Sequence, residues 1–366
     1  MPTVGDIRIF GSLPADAFEA WVAFRYVLVM KLRDRTPDGI AERLNELGDV
    51  TWTESSQNLT MQQATELLES CQIGVGSWRT IYPNDELMAK CSKLRLWVHG
   101  AGTVKHMFGP HLSGRNFTIA SCAPAIAENV AEITLAQIIV GLRRTIENGA
   151  ANNSGPADRP ENSRSLFQAT IGVVGASLVG RRVIRNLSPF EPRILLYDPY
   201  MSAEEAITMG IEIVPDLVEL CSLSDAVTLH TPAIPSTEKI MGAMQFQAMR
   251  DDTVFINTSR GMCVDENALT EELAQGRLFA FLDVSDPEPA LVDSPLRNLP
   301  NVLYNSHLAG CGDWRIGRQV VADIEAYLQD RSPLHVVTDD MLDPSSSLIR
   351  RTPWVFLPME LISPTG

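Results

Sequence analysis

The chain has 366 residues, 45% hydrophobic and 20% charged, enough to bury more than one core, and two domains are expected. A formal net charge of −15 without any Lys/Arg run gives no general attraction to phosphate backbones or anionic lipid, so neither a nucleic-acid nor a membrane partner is expected. The six cysteines are scattered without Cys-x-x-Cys spacing, which argues against a disulfide framework and a zinc site; no metal is expected, and reduced thiols point to a cytoplasmic, soluble chain.

Residues 1–20 precede the first expected strand and read as an extension, and the apolar stretch 21–30 is short and broken by Arg25. Strand-like runs at 25–30, 50–53, 73–75 and 94–98 alternate with amphipathic segments at 38–47 and 61–71, the pattern of a parallel sheet covered by helices. Past Pro124, residues 125–144 are rich in Ala, Ile and Leu and read as a long helix, followed by a polar loop at about 148–165. Short apolar strands then recur at 171–174, 194–197, 226–230, 254–257, 279–282 and 302–304, a second doubly wound series. A helix is expected at 312–328, and 333–341 carries the chain back towards the first domain.

In Gly172-Val-Val-Gly175-Ala-Ser177-Leu178-Val179-Gly180 a strand turns into a helix. A dinucleotide site needs a tight turn, close backbone approach to pyrophosphate and free amides at a helix N-terminus. Gly175 and Gly180 supply the first and third glycines of that pattern, while Ser177 replaces the second and either weakens cofactor binding or substitutes its hydroxyl for an amide contact. Asp198 ends the next strand 18 residues after Gly180, where a carboxylate accepts from ribose hydroxyls and repels a 2′-phosphate; no Arg or Lys follows it immediately, so NAD is expected over NADP.

Three further segments fall at the C-terminal ends of expected strands: Asn257-Thr258-Ser-Arg260-Gly261, Asp283-Val-Ser285-Asp-Pro-Glu288-Pro, and Asn305-Ser-His307-Leu-Ala-Gly310. With the Gly175 region, and with Leu96-Trp-Val-His-Gly-Ala-Gly102, Val130-Ala-Glu132 and His230-Thr231-Pro232, they resemble the D-isomer-specific 2-hydroxyacid dehydrogenase family over about residues 25–341. The chemistry asks for the same residue types. A guanidinium holds a carboxylate while polarising the adjacent carbonyl, and a histidine delivers a proton to the developing alkoxide while a carboxylate fixes its other nitrogen.

The resemblance implies two Rossmann-like α/β domains, with a NAD-binding domain at 121–310 inserted in a flavodoxin-like substrate domain made of 1–120 and 311–366. It implies a small anionic 2-hydroxy or 2-keto acid substrate, Arg260 as its orienting group, His307 as acid/base and Glu288 as the partner of His307. NAD contacts are expected from Gly175, Ser177, Leu178, Val179, Gly180, Asp198, His230, Thr231, Pro232, Thr258 and Asp283. Gly76, Ala101 and Gly102 are expected to approach the substrate by their backbone, and the 125–142 helix to pair two copies into a homodimer. His99 reads either as structural or as a substrate-reading residue, and Ser285 stands where relatives commonly carry an aromatic. The alternative is a NAD-binding regulatory protein of the co-repressor type with little turnover.

Overall fold

The computed structural model describes residues 7–9, 39–52, 59–77, 80–81, 83–102, 104, 116–311, 313–338 and 341. The chain divides into two compact units, Met1–Ile126 together with Gly312–Gly366, and Ala127–Cys311.

The first unit is built on five parallel strands, β1 (Ile7–Ile9), β2 (Val50–Trp52), β3 (Ile73–Gly76), β4 (Leu96–His99) and β5 (Thr118–Ser121), in the order β2-β1-β3-β4-β5. That order is the flavodoxin-like one. Helix α1 (Ile40–Leu47) buries Ile40 and Leu44 in a cluster with Ile73, Val75, Leu96 and Val98. Helices α2 (Met61–Leu68) and α3 (Asp85–Lys90) contribute Ala64, Leu68 and Leu87 to a separate cluster around Trp97. One expectation is corrected here, because part of the segment read as an N-terminal extension forms β1, hydrogen-bonded to both β2 and β3. The signal is Ile7 and Ile9 flanking Arg8, and three residues are too few for an alternation to stand out. The strand expected at 25–30 lies outside the described residues.

Helix α4 (Ala123–Leu142) follows β5, and α5 (Thr145–Ser154) follows it. Helix α4 is long and apolar enough to cross a membrane by length and composition; Glu128, Asn129, Thr134 and Gln137 within it are buried. Helix α5 replaces the first part of the expected polar loop; none of its residues is buried, so it has no apolar face for a pattern to reveal.

The second unit holds β6 (Thr170–Val174), β7 (Arg193–Tyr197), β8 (Glu212–Ile213), β9 (Ala226–Leu229), β10 (Val254–Asn257), β11 (Phe279–Leu282) and β12 (Val302–Tyr304), all parallel, in the order β12-β11-β10-β9-β6-β7-β8. The order reverses at β6 and β9, which is the switch point where ligands of such sheets bind. Helices α6 (Leu178–Leu187), α7 (Ala203–Met209), α8 (Leu217–Leu223), α9 (Ala243–Ala248) and α10 (Glu266–Ala274) connect the strands. Nearly every strand residue of β6, β9, β10 and β11 is buried, as a sheet covered on both faces requires.

Helix α11 (Asp313–Leu328) belongs to the first unit and puts Ile316, Val320 and Ile324 into the cluster under α1. The chain then returns to β5, where Val336 bridges Ala120 antiparallel and Ser121 N donates to His335 O at 3.0 Å.

Candidate active site

Six chemistry-bearing residues stand just beyond the C-terminal ends of parallel strands in the second unit: Gly175 after β6, Asp198 after β7, His230 after β9, Thr258 after β10, Asp283 after β11 and His307 after β12. Parallel strands gather their C-terminal ends on one edge, so one sheet topology assembles residues spread over positions 175–307 of the sequence.

The glycine turn is built for close approach. Gly175 takes φ 96°, and a Cβ there would lie 3.0 Å from the His230 carbonyl group and 3.1 Å from Thr231 N. At Gly180 a Cβ would fall 2.1 Å from Gly175 O. Ser177 is the N-cap of α6, its Oγ accepting from Gly180 N, which leaves Leu178 and Val179 in the first helical turn. The hydroxyl of Ser177 therefore closes the helix onto its own turn. Asp198 accepts from Ala176 N at 2.7 Å through Oδ2 and from Tyr200 N at 2.8 Å through Oδ1, fixing its carboxylate against the turn.

His230 is buried, and burial alone pushes its imidazole down to about 3, so it is neutral at any ordinary pH. Its Nε2 lies 2.9 Å from Thr228 Oγ1, while Nδ1 and the neighbouring Thr231 Oγ1 are buried and find no hydrogen-bond partner among the described residues. Pro232 O accepts from the Thr237 hydroxyl, which pins the loop after β9. A cradle that tolerates no Cβ, with orphaned polar atoms beside it, fits a dinucleotide whose phosphates need amides and whose polar groups need partners. Thr258 Oγ1 instead finds Thr134 Oγ1 at 3.2 Å.

His307 and Glu288 meet, His307 Nδ1 lying 2.6 Å from Glu288 Oε1, with both side chains about one-third exposed. Their loops are held by residues that sequence reasoning did not single out for this role. Asp283, buried and expected as a cofactor contact, accepts from His307 N through its carbonyl and from Leu308 N and Ala309 N through its two carboxylate oxygens. Burial pushes its carboxyl up, and the two amides oppose that shift. Tyr304 Oη lies 2.9 Å from Ser285 Oγ and accepts from Ala290 N at 3.0 Å, and Ser285 Oγ donates to Pro287 O at 2.7 Å. The serine in the aromatic position is thus one end of a hydroxyl pair bracketing Glu288.

Arg260 begins the turn after β10. Its Nη1 donates to Ser259 O at 2.6 Å, and among the described residues no carboxylate pairs with it. The turn is shaped by Asn257, whose Oδ1 accepts from Ser259 N and whose Nδ2 donates to Arg260 O. Gly261 presses on the neighbouring loop so closely that a Cβ would lie 2.1 Å from Ser285 C and O.

In the first unit, Ser121 Oγ donates to Gly102 O at 2.6 Å, and Gly100 N donates to Gly76 O at 2.7 Å; among the described residues no acceptor engages the amides of Ala101 and Gly102. Gly76 and Gly74 have a packing reason of their own, because a Cβ would lie 2.2 Å and 2.6 Å respectively from the Trp97 indole. His99 is buried at the end of β4. Among the described residues no group of three or more His, Cys, Asp or Glu is gathered as a metal would require.

A seven-stranded parallel sheet with this glycine turn and acidic strand end defines a dinucleotide-binding α/β protein. Residues 133–309 match the family described as D-isomer specific 2-hydroxyacid dehydrogenase, NAD binding domain; the chain belongs to that family and binds NAD through this domain. It is 31% identical over 266 residues to D-3-phosphoglycerate dehydrogenase of Methanocaldococcus jannaschii, a match covering 72% of this chain and 50% of that protein. The chain therefore spans only half the length of that relative. It is 28% identical to glyoxylate reductase of Korarchaeum cryptofilum over 70% of this chain and 80% of that one. The fold is that of D-lactate dehydrogenase from Escherichia coli, with a TM-score of 0.66 at 18% identity over 91% of this chain and all of the other.

Proposed function

We propose that the protein interconverts a small 2-hydroxy acid and its 2-keto acid, with NAD as the hydride carrier. The observation that carries this reading is the 2.6 Å His307–Glu288 pair at the same C-terminal edge of the sheet as the glycine turn for dinucleotide, with Arg260 at the end of β10 and, among the described residues, without a carboxylate partner. An arginine whose fork is not committed to a protein carboxylate is available to one on a substrate. The regulatory, co-repressor-like alternative is not favoured, since both curated relatives described above are named as enzymes.

When bound, NADH supplies the hydride that adds to the carbonyl carbon. Arg260 binds the substrate carboxylate and draws electron density towards the carbonyl oxygen. His307 donates the proton that oxygen requires from Nε2, because its Nδ1 faces Glu288. Glu288 fixes the ring orientation and stabilises the imidazolium, and in the oxidative direction His307 takes the proton back. The backbones of Gly76, Ala101 and Gly102 in the first unit are proposed to approach a substrate as well. Among the cofactor contacts, Gly175, Ser177, Leu178, Val179 and Gly180 would face the pyrophosphate, Asp198 the ribose, and His230, Thr231, Pro232, Thr258 and Asp283 the remainder.

A cytoplasmic homodimer completes the proposal. Ile133, Ala136 and Val140 recur at helical spacing along α4 and are not fully buried, so a second copy of this face would remove apolar surface from water. Light scattering reads the assembly. The activity is tested by screening small 2-keto acids with NADH and following the loss of its absorbance; a broad screen without turnover would overturn it.

A further inference from the structure

Arg181 stands in the first turn of α6 with its guanidinium already engaged. Its Nε donates to Ala176 O at 2.9 Å, its Nη1 pairs with Glu205 Oε1, and Nη1 also lies 3.9 Å from Met209 Sδ on the same face of α7. The other side of Ala176 is equally occupied, since its amide donates to Asp198 Oδ2. Backbone bond lengths keep the N and O of one residue within about 3.6 Å of each other. A single residue of the glycine turn therefore carries the Asp198 carboxylate on its N–H and the Arg181 guanidinium on its C=O.

That placement bears on which dinucleotide the turn accepts. Arginine is a strong ligand for phosphate because its planar fork and permanent charge match a phosphoryl group. An uncompensated Arg181 beside Asp198 would offset the carboxylate's repulsion of a 2′-phosphate. Glu205 cancels that charge, and the pair is only about one-quarter exposed, so solvent screens it incompletely. Glu205 is also fixed from behind: it lies in the first turn of α7, and its amide donates to the N-cap hydroxyl of Ser202 at 3.1 Å.

We propose that Glu205 is a specificity-determining residue for the cofactor: by holding and neutralising Arg181 it denies a 2′-phosphate its countercharge, and so acts with Asp198 against NADP. Discrimination of this kind combines a favourable contact for one ligand with a withheld contact for the other. The proposal rests on the reading of Asp198 as the acceptor for the adenosine ribose, and it requires no particular substrate.

The test measures Kd for NADH and NADPH by fluorescence titration, at low and moderate ionic strength, for the wild type, Glu205→Gln and Asp198→Asn, each checked for an unchanged melting temperature. Glu205→Gln keeps the size of the side chain and a hydrogen bond to Arg181 while removing the charge. The ratio Kd(NADPH)/Kd(NADH) is expected to fall at least about 5-fold in Glu205→Gln, mainly through tighter NADPH binding, and the gain is expected to shrink as salt rises. A folded Glu205→Gln with the ratio within two-fold of wild type, or with both cofactors weakened in parallel, overturns the proposal and leaves the pair as a clamp for α7. If that variant fails to fold, Glu205→Ala is read on the same ratio. Asp198→Asn reports separately: an unchanged Kd for NADH and an unchanged ratio there would sink the ribose reading itself. A changed Asp198→Asn with an unchanged Glu205→Gln would sink only the role of Glu205.

Discussion

His307 holds a left-handed backbone, φ 56°, and its amide donates to the carbonyl of Asp283 at 2.8 Å. A non-glycine residue in that region is strained, and it persists only where the surroundings over-determine it. Asp283 does so by taking three successive amides, those of His307, Leu308 and Ala309. Asp283→Asn turns one carboxylate oxygen into an N–H donor facing another donor. The expected cost is about 1–3 kcal/mol of stability, with a fall of about 10- to 100-fold in kcat as His307 loses its orientation. Thermal unfolding and NADH consumption measured together check this, and near-normal turnover would show that the clamp is not needed.

Tyr304→Phe keeps the ring and removes the hydroxyl that joins Ser285 to Ala290 N. The Ala290 amide and the Ser285 hydroxyl each lose a partner, which costs about 1 kcal/mol. Because the loop from Ser285 to Ala290 carries Glu288, kcat is expected to drop several-fold while NADH still binds. Stopped-flow reduction compared with cofactor titration separates the two effects.

Gly261→Ala would place a methyl group 2.1 Å from backbone atoms of Ser285. Backbone cannot rotate away as a flexible side chain can, so one of the two loops must shift. The expected outcome is a loss of about 1–3 kcal/mol, as for overpacking elsewhere, and a raised KM for the keto acid because Arg260 moves with the turn. Denaturant unfolding alongside steady-state kinetics tests it, and a stable variant with wild-type KM would contradict it.

In the first unit, Asp323 is fully buried, accepting from Leu334 N at 2.6 Å and from Gln319 Nε2 at 3.3 Å, and burial pushes its carboxyl up to about 7. Between about pH 4 and pH 7 the folded chain keeps this proton and the unfolded chain has lost it, so the unfolded state binds fewer protons. Stability from this group is complete below the unfolded value, falls as pH rises to about 7, and is flat above. Asp323→Asn should abolish that slope, so that its stability relative to wild type climbs across the window by at most about 4 kcal/mol. Urea unfolding of both proteins at about pH 5 and about pH 8 decides it; a gap independent of pH would contradict the assignment.

Much of the second unit is legible in sequence, because buried parallel strands such as β6 and β10 are mostly apolar runs, Thr-Ile-Gly-Val-Val and Val-Phe-Ile-Asn, followed directly by residues with chemistry, Gly175 and Thr258. Strands β1 and β8 are too short to show a period, and α5 has no buried face to produce one. Within the candidate site, Arg260, Glu288 and His307 stand out by residue type and place. Their supports do not, because Ser285 meets Tyr304 only once β11 and β12 lie side by side, and Asp283 looks identical in sequence whether it faces a cofactor or a loop amide. Gly74 and Gly76 show the converse, since a glycine that makes room for the Trp97 indole reads the same as one that makes room for a ligand.

The most direct measurement is single-turnover reduction of the best small 2-keto acid by NADH in wild type and in His307→Ala, with NADH affinity determined on the same samples. If His307 is the proton donor and Glu288 its partner, the chemical step in His307→Ala should slow by about 10²- to 10⁴-fold while the Kd for NADH stays close to wild type. Turnover of His307→Ala at nearly the wild-type rate would contradict the mechanism, whatever the family to which the chain belongs.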